Sequence, residues 1–239
     1  MRRYLHWLKP REFAIRRQRC TLCDFPLLLR LRCHEHAVRC PRCRAGAVHM
    51  AIAAVIRDQR PRLAREAVYE LSSRGPLYRM LKRSSGRLQV SEYFDDVAPG
   101  TSRDGVVCQN VEQLTFPDRS FDLCTSTDVF EHVVDDGAGF RELHRVLRPG
   151  GQAIFTVPID PAGDTLERAV YRDGELHHLQ PPEYHDDHLR GRGRVLAYRS
   201  YGRDITDRLK AAGFSEARID ARFSQGFFGY GRAVIVADV

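Results

Sequence analysis

Four cysteines near the amino terminus have the spacing of a metal-binding module. Two residues separate Cys20 from Cys23 and Cys40 from Cys43, and 16 residues lie between the pairs. Two such knuckles bring four thiolates into a tetrahedron, which suits structural Zn²⁺. Four thiolates leave no open position on the ion, so the sequence predicts a structural site. The strand-like run Leu27–Leu31 between the knuckles favours a zinc ribbon.

The alternative is that these four cysteines are free or form disulfides. We favour zinc because paired Cys-x-x-Cys motifs rarely serve as disulfides in a cytosolic chain. Cys33, His34 and His36 are competing ligands, and we interpret them as spare.

A second group of polar residues could do chemistry between positions 177 and 188. Its members are His177, His178, Tyr184, His185, Asp186, Asp187 and His188. The His-Asp-Asp-His run is too crowded for all four residues to bind one metal from one regular element. We therefore predict a polar lid, with one or two members facing a substrate. His178, His185 and the separate His132 are candidate catalytic residues, because imidazole exchanges protons near neutral pH.

A strand, a helix and a strand precede this group. Phe121–Ser126 and Ala153–Pro158 are apolar runs that predict strands. The apolar residues between them recur at helical spacing, at Phe140, Leu143, Val146 and Leu147. Such a unit forms a parallel pair with a right-handed crossover. Its ligands bind beyond the carboxyl ends of the strands, here near Ser126–Asp128 and Val157–Asp160.

The run from Ser120 to Pro158 resembles the central part of class I S-adenosylmethionine (SAM)-dependent methyltransferases of type 11. Phe121-Asp122-Leu123 matches the opening of the fourth strand, and Glu131-His132-Val133 matches the start of the next helix. Leu147-Arg148-Pro149-Gly150-Gly151 matches the turn into the fifth strand. The resemblance implies an α/β fold, a Rossmann-like doubly wound sheet, with SAM as cofactor.

The same resemblance indicates where SAM would bind. Glu70 matches the acid of the family's first motif, whereas Gly75 alone remains of the glycines in its turn. Ser72 and Ser73 are small enough to permit a close backbone approach to the cofactor. An ordinary strand-to-helix turn is the alternative. Glu92 ends an apolar strand, where an acid accepts hydrogen bonds from a ribose diol. The complete expected set is Glu70, Ser72, Gly75, Glu92, Asn110, Val111 and Asp128.

Two of these roles have simple alternatives. Asn110-Val111 resembles the family's adenine segment, with Asn in place of the usual Asp, but Asn110 could equally be a turn residue. His132 could hold the start of a helix through a backbone hydrogen bond instead of acting as a general base.

The positive charge of the chain is concentrated in its first quarter. Residues 1–60 hold 14 Lys and Arg against 4 Asp and Glu, a net charge of +10, whereas the rest of the chain carries −3. A basic ribbon could contact nucleic acid or an acidic partner weakly. Aromatic residues for base stacking are scarce between the knuckles, so we favour a module that docks on, or covers, the catalytic domain.

Length and composition limit the class of protein. The 239 residues suffice for one domain and a small module, and 43% hydrophobic content is ordinary for a globular chain. The longest apolar stretch, near Ala45–Ile56, is shorter than the roughly 20 residues of a membrane span. We see no secretory signal, and we expect a cytoplasmic location without membrane contact.

The expected organisation has three parts. Residues 1–44 form the zinc ribbon, 45–65 a helix and linker, and 66–239 the methyltransferase domain. Within that domain, residues 160–202 have little periodicity and are expected to form an irregular, lid-like insertion. A third strand is expected at Val106–Gln109.

The sequence favours SAM-dependent methyl transfer to an O, N or C nucleophile of a small-molecule acceptor. One alternative is methylation of ribosomal RNA, because a zinc ribbon before a methyltransferase resembles some bacterial rRNA guanine methyltransferases. The other is a SAM-fold protein that catalyses a non-methylating reaction or none.

Overall fold

The structure of the protein, a computed structural model, describes residues 8–187 and 193–239. His188, a member of the predicted polar lid, lies outside these residues. The α-helices are α1 (Ala47–Gln59), α2 (Gly75–Ser84), α3 (Asp136–Val146) and α4 (Ile205–Ala211). Short 3₁₀ helices lie at Glu35–Ala37, Leu63–Arg65 and Phe130–His132.

The strands divide among a large sheet and several small ones. In chain order they are β1 (Ala14–Arg17), β2 (Leu27–Arg30), β3 (Val38–Arg39), β4 (Ala67–Glu70), β5 (Arg87–Val90), β6 (Ser102–Arg103), β7 (Val106–Val107), β8 (Phe121–Thr127), β9 (Leu147–Thr156), β10 (Ile159–Asp160), β11 (Leu166–Glu167), β12 (Ala169–Arg172), β13 (Glu175–His178), β14 (Tyr184–Asp187), β15 (Gly193–Leu196), β16 (Arg199–Gly202), β17 (Glu216–Asp220) and β18 (Val234–Asp238).

The large sheet has six strands in the order β17-β18-β9-β8-β4-β5. Strands β5, β4, β8 and β9 are parallel, and β18 is antiparallel to both of its neighbours. The chain leaves β4 for β5 on one side and returns to β8 on the other, which makes a topological switch point at β4. Ligands of such sheets bind at the carboxyl ends of the strands beside this point. The predicted mixed α/β fold is confirmed.

Alternating strand residues divide the core into two layers, as the period of two in a strand requires. Val68, Leu123 and Ile154 face one layer with α1 and α2. Tyr69, Cys124 and Phe155 face the other, where they join residues of α3 and α4. Both faces of the sheet are therefore covered.

Helix α1 connects the cysteine module to the sheet. Nine of its thirteen residues are buried, and it packs against β9 and β18. Near its carboxyl end, the guanidinium of Arg60 donates to the carbonyl of Gly150, at the start of β9. Helix α1 thus runs antiparallel to β9, and its first residues lie toward the carboxyl ends of the parallel strands.

The cysteine module consequently sits at that edge. Its strands β1, β2 and β3 form an antiparallel sheet. Gln18 donates to the carbonyl of Gly226 at 2.8 Å, and Arg79 of α2 donates to the carbonyl of Cys43 at 2.9 Å. Leu28 and Val38 share one buried cluster with α1 and the sheet. The module is docked on the domain rather than tethered to it.

The insertion is more regular than the sequence predicts. Strands β10 and β11 flank β16, while β12–β13 and β14–β15 form two hairpins. These strands have two to four residues, and many of their side chains are exposed. Short exposed strands need no apolar alternation, so the sequence carried no signal for them.

The third predicted strand is also different. Only Val106–Val107 is a strand, and it pairs with β6 in a hairpin. Cys108 makes a single parallel bridge to Glu92 beside the large sheet. In the described residues, no helix is both long and apolar enough to cross a membrane.

Candidate functional site at the carboxyl edge of the sheet

The four cysteines of the paired knuckles converge as predicted. The Cys20 and Cys43 sulfurs are 3.6 Å apart, those of Cys23 and Cys40 are 3.5 Å apart, and all four lie within 4.8 Å of one another. Four thiolates about 2.3 Å from one tetrahedral Zn²⁺ would have sulfurs roughly 3.8 Å apart. The donor set and its dimensions therefore fit zinc.

The two knuckles have the same backbone geometry. In each, the residue after the second cysteine has a positive φ, 58° at Asp24 and 65° at Arg44. The N–H of each of these residues donates to the carbonyl of the first cysteine of its knuckle at 2.9 Å. This repeated turn aims both thiols of a knuckle at one point. The exposed Cys33 lies outside the cluster.

Glu92 is the centre of the predicted cofactor set. Its Oε1 accepts hydrogen bonds from the N–H of Ser73 at 2.7 Å and from the Ser73 hydroxyl at 2.8 Å. The Ser72 hydroxyl reaches the same oxygen at 3.4 Å, and Arg74 Nε lies 3.9 Å away. Among the described residues, the hydrogen bonds to this buried carboxylate all use Oε1. Oε2 is left for another donor.

Glu70 ends β4 directly beneath this turn. It is 2% exposed and accepts a hydrogen bond from the hydroxyl of Thr125 on neighbouring β8. Burial raises the pKa of Glu70 to about 8, although the Thr125 hydrogen bond opposes the increase; the charge of Glu92 adds to it. A cationic group bound here would favour the ionised form of Glu70.

The turn between β4 and α2 leaves room for a ligand. Gly75 has a φ of +93°, and no atom would lie within 4 Å of a Cβ added to it. Asn110 follows Gln109, whose N–H donates to the carbonyl of Glu92 at 2.9 Å. The Asn110 side chain accepts from the N–H of Glu112 at 3.0 Å, which is the turn expected as its alternative role. Val111 is buried in the core.

Asp128 lies at the end of β8. Its Oδ1 accepts from the Thr156 hydroxyl at 3.0 Å, and Arg232 is 3.7 Å from its Oδ2. Just before it, the buried hydroxyls of Ser126 and Thr127 have no hydrogen-bond partner among the described residues. Sequence reasoning missed these two hydroxyls. Buried hydroxyls normally have a partner, so these two call for one from outside the protein, such as water or a polar ligand.

A second polar group lies under the β14–β15 hairpin and consists of Glu131, His132 and His185, called here the Glu-His-His cluster. Their facing atoms are close: His132 Nε2 and His185 Nδ1 are 3.1 Å apart, and Glu131 Oε1 lies 3.7 and 3.8 Å from them. Sequence reasoning singled out His132 and His185 separately but did not predict their contact. Glu131 was missed as a functional residue.

Glu131 is the most deeply buried acid of the site, at 1% exposure. Burial raises the pKa of Glu131 well above its ordinary value, and the nearby charge of Asp128 adds to the effect. His132 lies in a 3₁₀ helix, and α3 starts only at Asp136, so the Glu-His-Val segment does not open the long helix directly. His178 is exposed on β13, outside the Glu-His-His cluster.

The fold and these acids define an α/β domain with a polar ligand site at its carboxyl edge. Residues 77–155 match the model of a family described as methyltransferase domain. The match runs from α2 almost to the end of β9 and includes Glu92, Asp128 and Glu131. It confirms the methyltransferase resemblance for this part of the chain; the cysteine module lies outside it.

Two bacterial methyltransferases are similar to shorter parts of the chain. The ubiquinone/menaquinone biosynthesis C-methyltransferase UbiE of Stenotrophomonas maltophilia (strain R551-3) is 54% identical over 50 residues, covering 21% of this chain and 19% of that protein. A malonyl-[acyl-carrier protein] O-methyltransferase of Yersinia pestis is 31% identical over 96 residues, 36% of each chain. The alignments thus span a fifth to about a third of these relatives.

Solved structures resemble a larger part of the chain at low identity. Streptomyces venezuelae DesVI gives a TM-score of 0.49 at 14% identity, covering 79% of this chain and 90% of that one. A S-adenosylmethionine-dependent methyltransferase from Mesorhizobium loti gives 0.47 at 18% identity, covering 79% and 98%.

Proposed function

We propose that this protein is a SAM-dependent methyltransferase acting on a small-molecule acceptor. The observation that carries the proposal is the bond between Glu92 and the Ser73 turn. It places an acid and a tight backbone turn together beside the switch point of the sheet, next to the segment that matches a methyltransferase domain. The named relatives are methyltransferases, which supports the same chemistry.

The residues at this edge fit SAM. Glu92 Oε2 is available to accept from a ribose hydroxyl, and the backbone from Ser72 to Gly75 can approach the methionine part closely. Asn110 and Val111 would border the adenine, and Asp128 would complete the site. Glu70 supplies a buried carboxyl suited to a cationic ligand. When bound, SAM supplies an electrophilic methyl group on its sulfonium.

The remaining chemistry belongs to the protein. Holding the acceptor nucleophile in line with the methyl group and excluding water provide most of the acceleration. The Glu-His-His cluster is the polar group on the acceptor side, because the insertion covers it. There the His132 ring is fixed by its Nδ1, which lies 2.8 Å from the Leu196 carbonyl. His132 and His185 can hold or move the acceptor's proton; His178 stays a sequence prediction.

For the cysteine module we propose one structural zinc held by Cys20, Cys23, Cys40 and Cys43. The zinc ribbon then caps the carboxyl edge of the sheet. It contacts α1 and α2, for example through the hydrogen bond from Arg79, in the middle of α2, to the Cys43 carbonyl.

RNA methylation is the second candidate. Its support is that the described part of the basic cysteine module, residues 8–44, lies at the same edge as the proposed cofactor site. The scarcity of aromatic residues between the knuckles disfavours it, because single-stranded bases are held largely by stacking.

Calorimetry with SAM and S-adenosylhomocysteine tests the proposed function. We expect both to bind the folded protein. Labelled SAM offered with either the low-molecular-weight or the RNA fraction of a cell extract should then methylate only the former. Absence of binding by folded protein would reject the enzyme, and label in RNA would favour the second candidate.

A further inference from the structure

The outer nitrogens of the two rings in the Glu-His-His cluster both face acceptors. His132 Nδ1 is 2.8 Å from the carbonyl oxygen of Leu196, and His185 Nε2 is 3.1 Å from Oε1 of Glu183. Arg168 forms an ion pair with the other oxygen of Glu183 at 3.2 Å. A carbonyl and a carboxylate can only accept, so each outer nitrogen carries its hydrogen.

The inner nitrogens then both present lone pairs. His132 Nε2 and His185 Nδ1 face each other at 3.1 Å, and Glu131 Oε1 stands 3.7 and 3.8 Å from them. Glu131 is 1% exposed, and neither of its oxygens has a hydrogen-bond partner among the described residues. Two ring nitrogens and a buried carboxylate oxygen therefore converge within 4.8 Å of one another. A cation placed between them would be bound by all three.

We propose that Glu131, His132 and His185 bind a divalent transition-metal ion. Ligands about 2.1 Å from a common ion lie roughly 3.0 to 3.4 Å apart in octahedral or tetrahedral geometry. The two ring nitrogens, 3.1 Å apart, fall in this range, and a small shift of the Glu131 side chain would bring its oxygen into it. Two imidazoles and one carboxylate are a donor set that Zn²⁺ and Fe²⁺ accept.

The surroundings of the rings also suit metal ligands. A histidine that binds a metal usually donates its other N–H to a backbone carbonyl or a carboxylate, which fixes the ring and makes it a better ligand. Leu196 and Glu183 provide one acceptor of each kind. The β14–β15 hairpin therefore contributes both a ligand and the groups that orient the ligands.

This site differs from the cysteine module in what it can do. Three protein ligands leave at least one position on the ion open. In a role that rests on the proposed function, that position takes an oxygen of the acceptor. Coordination lowers the pKa of a bound hydroxyl, so with the ion in place His132 and His185 act as its ligands, and the ion takes over the proton-releasing role described for them above. The acceptor would then be an oxygen ligand such as a hydroxyl or a carboxylate.

Metal analysis after loading with Zn²⁺ tests the site. We expect two zinc ions per wild-type chain and one in His185→Ala. Glu131→Gln, which keeps the shape but removes the negative ligand, should also bind one. His177→Ala, which removes an exposed histidine of the same insertion, should keep two. Glu183→Ala should weaken the second zinc by about 10–100-fold, as loss of an outer partner does.

Replacing Cys40 and Cys43 with Ser separates the two sites. The zinc left in that variant should be lost only when His185 is also replaced. A single zinc in the wild-type chain, with none in the cysteine variant, would overturn the proposal. The short contact between the two rings would then be explained by a proton that they share. Circular dichroism checks folding, and the exposed hairpin makes His185→Ala the safer variant. SAM calorimetry on His185→Ala separates this result from the proposed function, because the cofactor residues lie outside the cluster.

Discussion

Glu92 and Ser73 are joined by two hydrogen bonds to the same oxygen, one from the backbone N–H at 2.7 Å and one from the hydroxyl at 2.8 Å. The bonds connect the end of β5 to the turn after β4. Glu92 therefore shapes the turn that would contact the methionine part of SAM, while its other oxygen accepts no hydrogen bond from the described residues. The loss of glycines from the motif can be compensated in this way. The carboxylate holds the backbone in the tight turn that a glycine-rich sequence would otherwise adopt.

Replacing Glu92 with Ala should weaken SAM binding by about 1.5–3 kcal/mol, the value of a hydrogen bond to a charged group. Titration calorimetry with S-adenosylhomocysteine measures the change. Ser72→Ala removes only long contacts of 3.4 Å, one to Glu92 and two to the Arg74 backbone, so it is the matched control and should have a smaller effect. An unchanged dissociation constant in folded Glu92→Ala would remove Glu92 from the cofactor site.

The zinc ligands can be tested by one double variant. Cys40→Ser with Cys43→Ser should remove the thiolate-bound zinc, which a mercurial reagent releases from the wild type. The melting temperature should also fall, because Cys40 belongs to the buried cluster that contains α1. Cys33→Ser alters an exposed cysteine and should leave both zinc and stability unchanged. Mercurial-releasable zinc in the double variant would reject this ligand set.

Glu70 should make stability depend on pH. Its pKa rises from 4.5 in the unfolded chain to about 8 in the folded one, so the folded state holds a proton that the unfolded state has released. The free energy of unfolding should therefore fall as pH rises from about 4.5 to 8. Glu70→Gln has no carboxyl group to titrate, so its free energy of unfolding should not fall in this way. Relative to the wild type, that free energy should rise by on the order of 4 kcal/mol across the range. Urea unfolding at several pH values measures the difference. If the free energies of unfolding of the wild type and Glu70→Gln changed with pH in parallel, the raised pKa of Glu70 would be contradicted.

RNA binding by the basic module should be weak and indifferent to sequence. Each neutralised phosphate contributes roughly −0.7 to −0.9 to the slope of log affinity against log salt, so binding should nearly vanish at about 0.15 M salt. Arg17→Gln with Arg42→Gln, both exposed on the module, should reduce that slope. Substitution is preferable to deletion of residues 1–44, which would uncover α1. A nanomolar complex at about 0.15 M salt, with one base methylated, would favour an RNA substrate.

The sequence predicted the parts of the fold that rest on local pattern. Strand β8, helix α3 and strand β9 follow from apolar periodicity and from the turn at Pro149, and the four cysteines converge because their spacing allows little else. Glu92 could be anticipated because it ends an apolar strand. These features are encoded over short distances in the chain.

The rest depended on contacts between distant residues. His132 and His185 are 53 positions apart and meet only because the β14–β15 hairpin folds over the 3₁₀ helix. The buried state of Glu131 follows from the same packing. The hairpin strands carry little apolar pattern, so neither their existence nor their placement could be predicted.

Helix α1 has almost no polar side, since nine of its thirteen residues are buried between the sheet and the cysteine module. The two units therefore cannot be exchanged independently, either by recombination in evolution or by an engineer who transplants the domain. A chain that dispensed with the module would have to replace the outward residues of this helix with hydrophilic ones at the same time. The sequence composition places a boundary between the basic cysteine module and the rest of the chain. In the folded molecule, the residues on both sides of that boundary belong to one continuous hydrophobic core.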